Sequence, residues 1–322
     1  MTTPLSERSA GLIASELACA VDALDVARPS DGYLHDTFFV SDGTREVVLK
    51  RFDQTVIGDL TVPLQSLISN TGLAGRQGVG AKVLRVDADA GIVLLERLPG
   101  APLQANDLAD PGVLSRVGQA LRRLHDCPDV PANRVDFLEW SDSWLRSLAS
   151  VDCRWAGDLT RLRDELDETR RLAARLPFRA SFIHNDLLPA NFIDTGAATA
   201  IIDYDFSGTG SPYFDLGCLF CNCEFDTAAR RRFVESYLGG AGRVAEDEVD
   251  ASLARAELYE ILAVHANGVV FAWAAYGYRD KFSPIAAEMD EIIDDHVART
   301  RAAVADGRHG ALSERVAAHH VG

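Results

Sequence analysis

Between Ser181 and Phe214 the chain reads SFIHNDLLPANFIDTGAATAIIDYDFSGTGSPYF, and this stretch constrains the fold more than any other. His184, Asp186 and Asn191 stand in the order H-x-D-x-x-x-x-N. A short loop follows, and the apolar run Ala200-Ile201-Ile202 then ends abruptly at Asp203. An Asp with an Asn five residues on, and a second Asp at the tip of a buried strand, is what metal-assisted phosphoryl transfer requires. One carboxylate orients the attacking hydroxyl, while an amide oxygen and another carboxylate hold Mg²⁺ on the phosphates of a nucleotide. Any one of these residues suits a turn, but the whole pattern arises by chance only roughly a few hundredths of a time in such a chain.

A chain of 322 residues is long for one domain and suits two lobes sharing a cleft. Hydrophobic residues at 47% and charged residues at 25% describe a globular protein with core enough for both. The net charge of -16 argues against nucleic acid or an anionic membrane as partner. It is compatible with a cationic substrate, although an acidic surface also serves solubility alone. Glu7, Glu16 and Asp22 interrupt the N-terminal segment, so no signal peptide is expected, and no stretch reads as apolar and long enough to span a bilayer. Cys19, Cys127, Cys153, Cys218, Cys221 and Cys223 are therefore expected to stay reduced, in a cytoplasmic protein. Cys218-x-x-Cys221-x-Cys223 is like a fragment of a zinc site, but no fourth ligand lies nearby and the segment reads as helix.

Residues 8–27 show helical spacing, broken by Pro29 to Gly32. Tyr33–Val40 and Glu46–Phe52, joined across Ser41-Asp42-Gly43, predict a hairpin. Lys50, late in its second strand, either reaches phosphate oxygens in a cleft or remains a solvated edge-strand lysine, with Arg51 on the opposite face. Residues 56–71 predict a helix that offers Gln65 or Asp59, but no Glu, as partner for that lysine. Residues 72–80 read as a flexible loop, and Lys82–Val86 with Ile92–Leu98 as a second hairpin. Pro99-Gly100 marks a hinge, where backbone groups near Glu96–Leu98 are placed to bind adenine. No G-x-x-x-x-G-K-[ST] or G-x-G-x-x-G occurs, so neither a P-loop nor a dinucleotide fold is supported.

From Asp110 the pattern turns helical: Val113, Val117, Ala120, Leu121 and Leu124 line a helix ending near His125, a capping or packing residue. Phe137, Trp140, Trp144 and Leu148 line a second, and residues 158–176 form a charged third. Residues 305–322 read as a frayed tail. The prediction is an α+β bilobal fold. Residues 1–98 form a small antiparallel-sheet lobe with a leading helix, for nucleotide binding. Residues 99–322 form a larger, mainly helical lobe with the catalytic loop and an acceptor pocket. His184 reads as a structural imidazole or as a base; since Asp186 can perform the base role, the structural reading is favoured.

H184-N-D-L-L-P-A-N191 followed by I-I-D203 resembles the catalytic and metal-binding segments of aminoglycoside phosphotransferases and choline/ethanolamine kinases, small-molecule relatives of the protein kinases. Asp203-Tyr204-Asp205-Phe206-Ser207-Gly208 and Ser211-Pro212-Tyr213-Phe214-Asp215-Leu216-Gly217 resemble the choline-kinase-like branch, as does Asn222 after them. The resemblance runs from about Gly32 to Tyr278 and is specific at 184–217. It implies a protein-kinase-like fold, ATP as phosphoryl donor, Asp186 as the group that orients and deprotonates the substrate hydroxyl, Asn191 and Asp203 as Mg²⁺ ligands, and Asp215 as a structural partner of the catalytic loop. Lys50, with the backbone at Glu96 and Leu98, is then expected on the nucleotide.

Acceptors in this superfamily often carry a cationic amine, which favours aromatic faces and carboxylates. Tyr204, Asp205, Glu224, Trp273 and Tyr276 are the expected acceptor-binding residues, each aromatic also being readable as core. A choline- or ethanolamine-like alcohol is the leading acceptor. An aminoglycoside or other antibiotic or metabolite hydroxyl is the alternative. A catalytically inactive nucleotide-binding protein is suggested by the missing Glu and opposed by the intact Asp186, Asn191 and Asp203.

Overall fold

Alternating apolar residues and a tight Asp-Gly turn make a hairpin of the segment after residue 34, and that hairpin becomes the centre of an antiparallel sheet. The computed structural model describes residues 5–29, 34–239 and 244–318. Helix α1 (Glu7–Leu17) precedes β1 (Asp25–Ala27), β2 (Asp36–Ser41) and β3 (Glu46–Arg51); α2 (Leu64–Arg76), β4 (Val83–Asp87) and β5 (Ile92–Glu96) follow. The five strands lie in the order β1-β2-β3-β5-β4. Phe38, Val40, Val47, Leu49, Ile92 and Leu94 point to one face and pack with Ile13 and Leu17 of α1. Alternation sends Lys50, paired with Thr37 and Val93, to the other face, where Val93 packs with Phe52, Val62 and Leu67 of α2. Because β3 is internal, Lys50 is not an edge-strand residue. Arg51, on the opposite face as alternation requires, pairs with Asp36 at 2.5 Å.

The chain leaves this lobe through Gly100, whose φ of +113° suits glycine, and where a Cβ would stand 2.3 Å from Asp194 O. That contact permits β6 (Ala101–Pro102) to pair with a strand of the second lobe. Helices α3 (Pro111–His125), α4 (Phe137–Leu148), α5 (Ala156–Glu165) and α6 (Asp167–Arg175) follow. Short strands β7 (Ser181–Ile183), β8 (Phe192–Asp194), β9 (Thr199–Ile201) and β10 (Gly208–Gly210) carry the motif segment; β6-β8-β9 form one small sheet and β10-β7 another. The remaining helices are α7 (Pro212–Asn222), α8 (Thr227–Gly239), α9 (Glu246–Gly277), α10 (Arg279–Phe282), α11 (Ala286–Ala305) and α12 (Arg308–Ala318).

The 32-residue α9 is the axis of this lobe, with α4, α7, α11 and α12 packed around it. It is also long and apolar enough to cross a bilayer, which corrects the expectation that no stretch is. Its apolar window is 83% buried inside the fold, as a core helix demands. Other expectations are corrected in the same way. The helix predicted over 8–27 stops at Leu17, with Ala18 left-handed (φ 55°), and Asp25–Ala27 instead pairs with β2 as a strand. Residues 72–76 continue α2, because Leu73 and Ala74 are buried and Gly75 packs against Ala81 O. The charged helix over 158–176 breaks at Leu166 into α5 and α6. The supposed tail forms α12, which buries Leu312 and Val316 and pairs Arg308 and Arg315 with Glu260 and Glu257 of α9. Ser30–Tyr33 and residues 319–322 lie outside the described residues.

A second connection braces the lobes. Between β3 and α2, Val56 and Leu60 are buried against Ala274, Phe282 and Met289 of the helical lobe. Trp144 Nε1 donates to Asp59 O at 2.9 Å, and Val62 N donates to Asp205 O at 3.1 Å.

Candidate active site

Strand β7 ends where its hydrogen bonds to β10 stop, and the chain turns at His184-Asn185-Asp186. Asn185 has φ 67°, a left-handed conformation that Asn tolerates better than most residues. The turn is held from below. The fully buried Asp215 of α7 accepts the N–H of His184 at 2.8 Å and of Asn185 at 2.6 Å. His125 Nε2 donates to the same carboxylate at 2.9 Å, and its Nδ1 bonds Tyr237 OH at 2.8 Å. Asp215 thus holds the loop backbone, as expected, and His125 is its buried brace.

His184 is fixed by what its nitrogens touch. Nδ1 accepts the N–H of Asp186 at 3.3 Å, so the proton sits on Nε2 and is donated to Ile202 O at 2.9 Å. Neither nitrogen is free to take a substrate proton, which matches the structural reading. The same bond ties the loop to the residue before Asp203. Asn191 ends the 3₁₀ turn Pro189–Asn191, and its Nδ2 donates to Asp186 O at 2.8 Å and Oδ2 at 3.3 Å. Its amide oxygen therefore points away from Asp186. Burial is the main cause that pushes the half-buried Asp186 carboxyl up to about 6.

Ile202 N donates to Asn191 O at 2.9 Å, bringing the end of β9 beside the loop. Asp203 follows with φ 72°, an aspartate in left-handed backbone that turns its carboxylate into the cleft. Lys50 reaches across from the sheet, 153 residues away, to bond Asp203 Oδ1, and it bonds Asp205 Oδ1 at 2.7 Å. Burial would raise the Asp203 carboxyl, but the Lys50 ammonium outweighs it and holds it at about 2. Burial disfavours the Lys50 charge too, and the two carboxylates overcome that and raise its pKa. Asp205, buried and beside Asp203, is raised.

Lys50, Asp186, Asn191 and Asp203 therefore meet at one cleft. The other expected residues divide. Glu96 donates its N–H to Lys82 O and accepts the Lys82 N–H on its carboxylate at 2.8 Å, so both groups are used in the sheet; Leu98 lies between the lobes, past the end of β5. Asp205 was expected in the acceptor pocket and is instead the buried counter-ion of Lys50, 4% exposed, because its side chain points back to β3. Tyr204 is likewise corrected: it is 2% exposed and packs its ring on Phe182 and His184, under the loop. Tyr276 turns away to α11, donating to Asp290 at 3.2 Å with its ring edge on Trp155. Glu224 is exposed just beyond α7, two residues after Asn222, which donates to Leu187 O.

Trp273 Nε1 donates to Asp59 Oδ2 at 3.0 Å, and Tyr278 OH bonds the same oxygen. Asp59, offered by the sequence as a partner for Lys50, thus serves the aromatic end of α9. His35 and Asn70 had no sequence signal at all. His35 Nε2 lies 3.5 Å from Asp205 Oδ2, and Asn70 of α2 donates to Ser207 O and Oγ at 3.0 Å. Single polar residues in apolar surroundings carry no spacing pattern, so nothing in the sequence could single them out.

Comparison with known proteins gives a consistent picture. A family model described as "Phosphotransferase enzyme family" matches residues 25–259. "Probable choline kinase 1" of Arabidopsis thaliana is 28% identical over 238 residues, covering 64% of this chain and 68% of that protein. "Choline/ethanolamine kinase" of Mus musculus is 23% identical over 193 residues, and the match spans 56% of this chain but only 48% of the mouse protein. Among solved structures, a choline/ethanolamine kinase family protein from Mesorhizobium loti has a TM-score of 0.75 at 21% identity, covering 92% of this chain and 93% of that one.

Proposed function

This chain belongs to the phosphotransferase enzyme family, and from that premise we propose that it moves the γ-phosphoryl group of ATP to a hydroxyl of a small, amine-bearing alcohol of the choline or ethanolamine kind. The observation that carries the reading is the convergence of Lys50, Asp186, Asn191 and Asp203, from both lobes, on one cleft. Asp186 accepts the acceptor's hydroxyl proton as the oxygen attacks; a carboxyl raised to about 6 by burial is a better base near neutrality than an ordinary aspartate. The Asn191 amide bond holds that carboxylate in place.

The donor set fits Mg²⁺. Asn191 Oδ1 faces away from Asp186, and the Asp203 side chain is 41% exposed in the cleft, so two protein oxygens are available to an ion that takes its other ligands from phosphate and water. Asn191 and Asp203 would hold Mg²⁺ there, and the ion would supply charge neutralisation to the nucleotide phosphates. Lys50, bonded here to Asp203 and Asp205, would be the group that meets the phosphate oxygens. A cationic acceptor is favoured by the Asp59 carboxylate with the Trp273 and Tyr278 rings, 6.0 Å apart and edge to face.

The test is ADP release with Mg²⁺ over choline, ethanolamine, aminoglycosides and sugar alcohols. Choline or ethanolamine should turn over far faster than any aminoglycoside, and Asp186→Asn should lower kcat by about 10²–10⁴ while sparing ATP binding. Turnover confined to antibiotics would overturn the acceptor; full activity in Asp186→Asn would overturn the mechanism.

A further inference from the structure

A phosphate-binding lysine at the end of a strand must be aimed, because its four-carbon stem has many rotamers. Here α2 supplies no glutamate to aim it. The buried polar side chain of α2 is Asn70, and it binds Ser207. Lys50 instead has two carboxylates from the opposite lobe, and one of them, Asp203, is needed by the cation. Asp205 is then the anchor that remains.

Resting on the phosphotransferase reading above, we infer that His35, Asp53 and Lys281 form a positioning relay that fixes Asp205, and through it Lys50, in place of the helix glutamate this chain lacks. Lys281 Nζ of α10 lies 2.5 Å from Asp53 Oδ2. The Asp53 N–H is donated to His35 Nδ1 at 3.1 Å. That bond makes Nδ1 the acceptor nitrogen and leaves the proton on Nε2, which faces Asp205 Oδ2 at 3.5 Å. The other oxygen of Asp205 holds Lys50 at 2.7 Å. The 3.5 Å approach is an electrostatic contact rather than a formed hydrogen bond, and His35 and Asp205 are 7% and 4% exposed, so water does not freely screen it.

Packing fixes the same geometry. The His35 ring stands edge-on to Phe52 at 5.0 Å, and the Lys50 ammonium lies 5.5 Å from that ring. Burial, then the Lys50 charge, keep the imidazole neutral, with its pKa held down at about 3, so His35 presents a fixed N–H dipole towards Asp205. Since Lys281 belongs to the helical lobe and Lys50 to the sheet, the relay also makes the aim of Lys50 depend on how the lobes sit together.

The experiment measures KM for ATP, KM for the acceptor and kcat in full-length His35→Leu, His35→Gln, Lys281→Met and the His35→Leu/Lys281→Met double variant. His35→Leu should raise KM for ATP about tenfold, with kcat and acceptor KM little changed. His35→Gln, which keeps an N–H near the position of Nε2, should recover most of the loss. Lys281→Met should raise KM for ATP about threefold, and the double variant should be no worse than His35→Leu alone, the mark of one shared path. Unchanged KM for ATP in His35→Leu or Lys281→Met, equal losses in Leu and Gln variants, or additive effects would overturn the relay. Should His35→Leu not fold, Lys281→Met at its partly exposed ion pair decides alone. A wild-type protein that binds ATP but phosphorylates no acceptor would overturn the functional reading and the relay together, whereas normal wild-type turnover with unmoved variants removes only the relay.

Discussion

A histidine next to a catalytic carboxylate is a base or a brace according to which of its nitrogens is free. In His184 neither is, since one accepts from Asp186 N–H and the other donates to Ile202 O. His265 is a brace of another kind: 1% exposed in α9, it bonds Leu159 O at 3.0 Å and so pins α5. Burial lowers its pKa to about 4, below the ordinary value of 6.5. Between those values the unfolded chain binds a proton that the folded chain does not. The stability His265 allows is therefore complete above pH 6.5 and is lost as pH falls towards 4, by roughly 2 kcal/mol at pH 5. Replacing it with Gln should remove this component, so urea denaturation at pH 7 and pH 5 should show a smaller acid loss in His265→Gln than in wild type. Parallel acid losses in both would refute the assignment. At this scale Asp186, Asn191 and Asp203 were legible, because they lie within one short stretch and chemistry dictates their spacing. The role of Asp205 was not, since its partner Lys50 is 155 residues away.

Elements position these residues by close approach. α7 carries Asp215 to the catalytic loop because it lies almost in contact with α9: a Cβ on Gly217 would stand 2.5 Å from Tyr259 C and 2.6 Å from Glu260 N, both backbone. Gly217→Ala must push the helices apart, at a cost of about 1–3 kcal/mol. Chemical denaturation should show that loss, and kcat should fall with it as Asp215 retreats from the amides of His184 and Asn185. A fully stable Gly217→Ala protein would mean that the helix contact does not set the loop. The helical periods of α3 and α4 were legible. The break between α5 and α6 at Leu166 was not, because the periodic apolar residues run through it, whereas in the fold α5 packs on α9 and α11 and α6 on α9 and α12.

At the scale of the molecule, one covalent crossing and one packed contact join the lobes. The crossing is the hinge at Gly100; the contact is the β3–α2 connection, which stays within the sheet lobe but whose Leu60 is fully buried with Val56 among Ala274, Phe282 and Met289. Leu60→Ala should therefore behave as a core substitution, costing about 2–5 kcal/mol, although it sits in a loop. Calorimetry is expected to show a single transition moved to lower temperature. A change no larger than that of an exposed loop substitution, within about 0.5 kcal/mol, would mean that this contact does not join the lobes.

The sequence by itself determined which residues of the stretch 184–203 stand together, the α+β class and the two-hairpin lobe, because each rests on residues near one another in the chain and on periods of two or 3.6. Tertiary structure alone decided which carboxylate serves Lys50, where Tyr204 and Tyr276 point, and that Arg308–Ala318 is a packed helix. Those outcomes depend on which faces meet across the fold. A buried charge takes whatever partner the packing brings within reach, whatever its distance along the chain.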